Sequence, residues 1–352
     1  MTWHAVDAVD DAVGATRRFL FPFSVVRWAK LALLVLFMSV GVNTNVGVPP
    51  LPSVETTTVG AGDIVSLAAE LGVEASTLVA IGVGVAIVSA AFTIVALTLR
   101  LVFYDALRTN EVRLWTPFTR RFRQAVGLFV FSVGVGFAFV APIVAGAVAH
   151  ERGLVAIGDL PGAALVASVA LAVALVVIGL LVARFTYEFA VPVMVGRDVG
   201  VLAAWRRLWP TVRESWLGFL VYLVIHFFLG LALSIAEGVV LLFVGGVAVV
   251  LGALALLVVG GLLGGLGALT ATTAGTVVIV VVVALALVAV VAVLLPVRIA
   301  TRTYLIAYEV STLGGIDPEL AMLSPGIDPP TEPTNARGDD PDDAHGRNDE
   351  AS

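Results

Sequence analysis

From Gly238 to Gly275 the chain carries no charged side chain, and a further apolar run, Val277 to Pro296, follows before Arg298 is reached. An uncharged apolar stretch longer than about 18 residues is the signature of a segment solvated by lipid. The composition agrees: 59% of the 352 residues are hydrophobic, 13% are charged, and the mean hydropathy is +1.04. Soluble domains carry about 25% charged residues. There is no cysteine, which excludes disulfides, thiol nucleophiles and thiolate metal sites together.

The apolar runs predict an all-α, polytopic transmembrane bundle over residues 1–323, followed by an acidic, solvated tail over 324–352 that is too poor in apolar residues to pack. Six spans are expected: Trp28–Val42, Leu78–Leu101, Ala125–Ala149, Ala163–Ala183, Trp216–Ala236 and Val277–Pro296. Residues 1–28 are too long and too acidic for a cleaved signal peptide. The loop 43–77 contains Pro49-Pro50-Leu51-Pro52, an extended segment, and a short helix is expected over 62–72.

One motif occurs three times, at 10–22 (DDAVGATRRFLFP), 105–117 (DALRTNEVRLWTP) and 198–210 (DVGVLAAWRRLWP). Each copy begins with Asp, places an Arg eight residues on and a Pro twelve on, and carries aromatics before the Pro. The expectation is three amphipathic, interface-lying helices, each leading into a membrane hairpin. Arginines cluster at the N-terminus, at 100–123 and at 184–214, whereas the loops 43–77 and 150–162 are poor in basic residues. The positive-inside rule then places both termini in the cytoplasm. The segment 238–275 reads as an additional Gly-rich hairpin that enters and leaves on one side. Its alternative is a full crossing, giving seven spans and an external C-terminus.

Catalytic motifs are absent from the sequence. The four histidines are scattered, and the Gly-rich runs lie inside apolar segments rather than between a strand and a helix. No cofactor or metal and no nucleic-acid partner is expected, since the Arg patches sit beside spans and the net charge is −6. Ionisable groups at membrane depth usually face a protein interior. That makes His226, Glu237, Glu188 and Arg184 the candidate polar residues, with His226 and Glu237 three turns apart on one helix face. Arg18, Arg113, Arg206 and Arg207 are candidate contacts for anionic lipid head groups, because guanidinium forks match phosphate geometry. Trp115, Trp205, Trp209 and Trp216 read as interface anchors.

One Lys among the 20 basic residues, a pI near 5.2 and an Asp-rich tail point to a halophilic source. In molar salt the Debye length is about 3 Å, so such arginines act only by contact. The stretch EFAVPVMVGRDVGVLAAWRRLWPTVRESW (Glu188 to Trp216), with DAVGATRRFLFPFSVVRWAKLAL and RLWTPF, resembles an uncharacterised membrane family of halophilic archaea. More distantly it resembles the membrane domain attached to some glycerophosphodiester phosphodiesterases. Their chemistry belongs to a separate soluble barrel, so the resemblance implies no catalytic residue here. The function expected is a non-enzymatic cell-membrane module that organises lipid or a partner protein, with a permease for a small or lipid-like solute as the alternative.

Overall fold

A computed structural model of the protein describes residues 4–21, 23–40, 74–153 and 161–322. The expected proline-rich loop and short helix within 43–73, and the acidic tail, lie outside the described residues. All regular structure among them is helical. In chain order the helices are α1 (His4–Leu20), α2 (Val25–Val40), α3 (Ala75–Thr109), α4 (Trp115–Glu151) and α5 (Gly162–Phe185). A π-turn (Thr186–Ala190) leads into α6 (Val191–Arg197), α7 (Val201–Glu214), α8 (Trp216–Leu262), α9 (Gly267–Ala271) and α10 (Thr273–Ile316).

The helices pack in antiparallel pairs. Phe37 of α2 meets Phe92 of α3, the α4–α5 pair is joined by Ser132 and Tyr187, and Tyr308 of α10 lies against His226 of α8. Burial is concentrated at one end of these pairs. On α3, residues 96–107 are largely buried while 79–89 are exposed, and α5 has no buried residue at all. The molecule is therefore a packed base from which apolar arms diverge. The arms remain exposed because Val, Leu and Ala cover all sides of each helix, the pattern of a helix whose solvent is hydrocarbon. Trp115, Trp209 and Trp216 are exposed at the base, where a membrane interface would place them.

Five helical segments are long and apolar enough to cross a membrane: Ser76–Thr109, Trp115–Glu151, Gly162–Arg197, Trp216–Leu262 and Thr273–Ile316. The expected first span corresponds to α2, which at 16 residues is shorter than a crossing of about 20 requires. The Gly-rich segment is not a hairpin of its own. Residues 238–262 continue α8 without a break, and the chain reverses only at Gly264 and Gly265, whose φ values of +95° and +128° exclude an ordinary side chain. The two arms of that hairpin, α8 and α10, are 47 and 44 residues long. They rise for about 70 Å, more than twice the hydrocarbon thickness.

The three motif copies do not form three equivalent helices. The first lies in α1, where Ala8, Ala12, Ala15 and Phe19 form a buried stripe packed on α10, with Asp7, Asp10, Asp11, Arg17 and Arg18 exposed. The third supplies α7. The second is split into the end of α3, a turn through Asn110 (φ +54°) and the start of α4. Its Asp105 serves the base instead. The guanidinium of Arg121, 0% exposed, is held at 2.8 Å by both Asp105 of α3 and Asp198, the residue that ends α6. The motif's Asp is thus a partner for a buried Arg, a role that spacing alone does not reveal.

Arg120 also donates to Asp198, at 2.7 Å, and with Arg121 behind it holds this carboxyl below its ordinary value of 3.8. A depressed carboxyl stabilises the fold above its unfolded value, and that contribution disappears as pH falls through the folded value. Asp198 lies in the left-handed region, which Asn also accepts. Asp198→Asn is therefore expected to melt below wild type at pH 7 in detergent, by a small amount because the pair is half exposed. The two melting curves should converge as pH drops under 3.8. A gap that stays constant through that range would rule out the ionic contribution.

Candidate functional site

The arms are uniformly apolar, so the chemistry of the membrane region collects where α3, the π-turn, α8 and α10 meet. The π-turn creates this junction. Val191 N–H bonds back to the Thr186 carbonyl, five residues earlier, and the next residue, Pro192, has no N–H to give. The Tyr187 carbonyl is thereby left open. It accepts from Arg100 Nη2 at 3.3 Å, and the Tyr104 hydroxyl, also on α3, lies 3.4 Å away. The Arg100 guanidinium also stands 5.0 Å from the centre of the Tyr187 ring.

The widened turn points Glu188 inward. Arg184, one turn earlier, donates to both of its oxygens at 2.9 and 3.1 Å, and the Tyr222 hydroxyl of α8 donates at 3.0 Å. Tyr222 also lies 2.9 Å from His226 Nδ1. A phenol has one proton. With that proton on Glu188, Nδ1 of His226 must be the donor to the phenol oxygen, and Nε2 then faces Glu188 Oε1 at 3.7 Å with its lone pair. Glu309 of α10 completes the group, accepting from Tyr104 at 3.1 Å. Glu188, Glu309 and His226 are 3%, 6% and 9% exposed. The stacked rings of Tyr222 and Tyr308, 5.5 Å apart, wall the site from α8 and α10.

One oxygen or nitrogen from each of Glu188, His226 and Glu309 comes within 4.8 Å of the others, a spacing that a cation could bridge after a small contraction. The charges argue against it. Glu188 is already gripped by Arg184, and Arg100 lies within electrostatic reach of both carboxylates. A divalent ion would sit beside two guanidiniums. The arrangement is a charge-compensated network in which each acid meets a cation or a phenol, as burial in a medium of low dielectric demands.

Of the residues singled out from the sequence, the structure unites Arg184, Glu188 and His226. The pair Arg184–Glu188 is buried rather than a surface contact. Glu237 does face α10 as His226 does, but three turns away, where it bonds Thr301 and approaches Arg298 at 3.9 Å. The two do not form one polar track. Arg18, Arg206 and Arg207 are exposed on α1 and α7, while Arg113 is paired with Glu111 at 2.8 Å in the α3–α4 turn. Trp205 is not a free anchor, since its Nε1 donates to Thr186 at 3.0 Å. Sequence reasoning missed Glu309, Tyr104, Tyr222 and Arg100. A signal existed: a Tyr-acid pair recurs at Tyr104-Asp105, Tyr187-Glu188 and Tyr308-Glu309, each within a few residues of an Arg.

Removing one partner of a buried ion pair strands the other, at a cost of about 3–5 kcal/mol, whereas removing both costs far less. Arg184→Leu is therefore expected to destabilise the detergent-solubilised protein more than the double change Arg184→Leu with Glu188→Leu. Denaturant unfolding of the two variants reads the difference, and equal or additive losses would show that the pair is not coupled.

No curated protein and no solved structure matches the chain. One family model spans residues 3–323, nearly everything outside the acidic tail. The chain accordingly belongs to a family of unknown function, DUF7544.

Proposed function

We propose that the protein is a non-enzymatic, multi-pass module of the cell membrane that organises lipid, or the helices of a partner, around three diverging hairpins. The observation that carries this reading is the exposure of the arms. In the most apolar window of each candidate span, between 0% and 6% of residues are buried within the protein. A transport path needs walls that close on one another, whereas these arms leave apolar space between them. In a bilayer that space is filled by lipid chains or by another protein's helices.

In this reading α2 is a short sixth span, the basic base lies at the cytoplasmic leaflet, and both termini are cytoplasmic. Exposed Arg18, Arg206 and Arg207, with Arg113 at the α3–α4 turn, meet anionic head groups by contact. Salt-adapted composition and the likeness to haloarchaeal membrane proteins belong to the same proposal, supported by the near-absence of Lys. No cofactor or nucleic acid enters it.

The buried group of Glu188, His226 and Glu309 favours a second reading, a permease whose solute or proton passes the inner end of α8. Flux of labelled solute into proteoliposomes that His226→Phe abolishes would support it.

Two measurements test the primary reading. Because the chain has no cysteine, Glu111→Cys and Glu151→Cys give unambiguous reporters. A membrane-impermeant maleimide should reach the first only from the cytoplasm and the second only from outside; the reverse pattern would invert the topology. In the second test, purified protein should retain anionic lipid, and Arg113→Gln, Arg206→Gln and Arg207→Gln together should reduce the retained amount several-fold. Unchanged retention would remove the head-group role.

A further inference from the structure

Between α3, α4 and α5 lies a cavity of about 430 Å³. Leu97, Phe129, Val133, Val140, Val176 and Leu180 supply most of its wall, and polar side chains border it at few points. It runs lengthwise. One end lies among Phe139, Val140 and Val176, in the middle of the arms, and the other at Thr186 and Tyr187, at the base. Along α5 that separation is eleven residues, about 16 Å of helix rise. Gly179 sets the outer end: a Cβ there would meet Phe139 at 3.0 Å, so only glycine lets α4 and α5 approach at that level.

The base end is finished differently. Ser132 and Tyr187 join their hydroxyls across it at 2.8 Å, and Thr186 is bonded from outside by Trp205 of α7. Arg206 and Arg207 follow Trp205 directly in α7 and are exposed. An apolar slot thus ends at Thr186, against the helix that carries the two exposed guanidiniums of Arg206 and Arg207. That is the charge complement of one molecule class: an amphiphile with a long hydrocarbon chain and an anionic head.

We infer that this slot holds one hydrocarbon chain of an anionic membrane phospholipid, with its phosphate at Arg206 and Arg207 of α7. The inference rests on the lipid-organising reading and sharpens it, because it converts bulk solvation of splayed arms into one defined chain position. Lipid tails are as apolar as leucine, so the chain gains little from burial itself. Selection comes from shape within the slot and from contact between phosphate and guanidinium at its mouth. The Ser132–Tyr187 bond, which pairs both hydroxyls at the base end, lets the chain pass there without facing a desolvated donor.

The structure supplies a clean perturbation. Gly136 lines the slot, and a Cβ added there meets nothing within 4 Å. Gly136→Leu therefore starts a side chain from an open position on the slot wall, and leucine is the better helix former. Gly134 is equally open but does not line the slot, so Gly134→Leu is the matched control.

Full-length protein would be reconstituted in vesicles containing a phosphatidylglycerol with a diazirine in one chain, or the corresponding phosphatidylcholine, irradiated, and mapped by peptide mass spectrometry. Phosphatidylglycerol should label residues 129–140 and 176–187 several-fold more than the equally exposed 247–257 of α8. Gly136→Leu should bring that excess down to the α8 level, and Gly134→Leu should leave it intact. Phosphatidylcholine should show little excess. Uniform labelling of all arms, or an excess that survives Gly136→Leu, would overturn the slot. An excess equal for both lipids would overturn the anionic head. If the slot fails while the Arg113, Arg206 and Arg207 changes still reduce retained lipid, the broader function stands; if that retention is also unaffected, both fall.

Discussion

The structure depends on charge being compensated out of water. Nearly every ionisable group of the described helices is gathered at the base, and the buried carboxylates and Arg121 are each gripped by a partner. Arg121 is held by Asp105 and Asp198, Glu188 by Arg184 and Tyr222, and Glu309 by Tyr104. Each grip links elements distant in sequence: α3 to α4 and α6 in the first case, α5 to α8 in the second, α3 to α10 in the third. A hydrophobic effect cannot hold such helices together inside lipid, because tail and side chain are equally apolar. Polar contacts and close packing must do so, and both are concentrated at the base.

The π-turn is the element on which these links converge. One proline, at 192, removes a backbone donor, and one carbonyl, at 187, becomes an acceptor for Arg100 of α3. The same widening turns Glu188 toward α8. A strictly α-helical path would pair Val191 N–H with the Tyr187 carbonyl and take that acceptor away from α3.

Much of this was legible in the sequence, and the missing part has a physical explanation. Hydropathy locates spans because hydrocarbon thickness fixes their length, and it found the apolar segments of α3, α4, α5, α8 and α10. It could not tell a continuous 47-residue helix from a span followed by a separate hairpin, since glycines at 245, 246 and 252 are tolerated within a helix as readily as in a turn. The motif at 105–117 matched its relatives in residue type, yet Asn110 breaks its helix. Arg184, Glu188 and His226 were identified as polar residues at membrane depth. Glu309 was not, because it falls beyond the last apolar run and reads as a wetted helix end; only the fold shows that this end is the centre of the base.

The distal turn of the longest hairpin has its own implication. From Gly238 to Val297, through the whole of the reversal at Gly264 and Gly265, no Asp, Glu, Lys, Arg or His occurs. Threading a loop across a bilayer is opposed mainly by the charges it carries, at about 2.5–3.5 kcal/mol each on insertion scales. This loop carries none, so α8 and the outer part of α10 can enter as a preformed unit from the side on which the base is synthesised. The α4–α5 loop, by contrast, must take Glu151, Arg152 and Asp159 with it. In the six-span reading, biogenesis of the two hairpins differs: the first depends on machinery that translocates polar residues, and the second requires only that its own glycines close the bend.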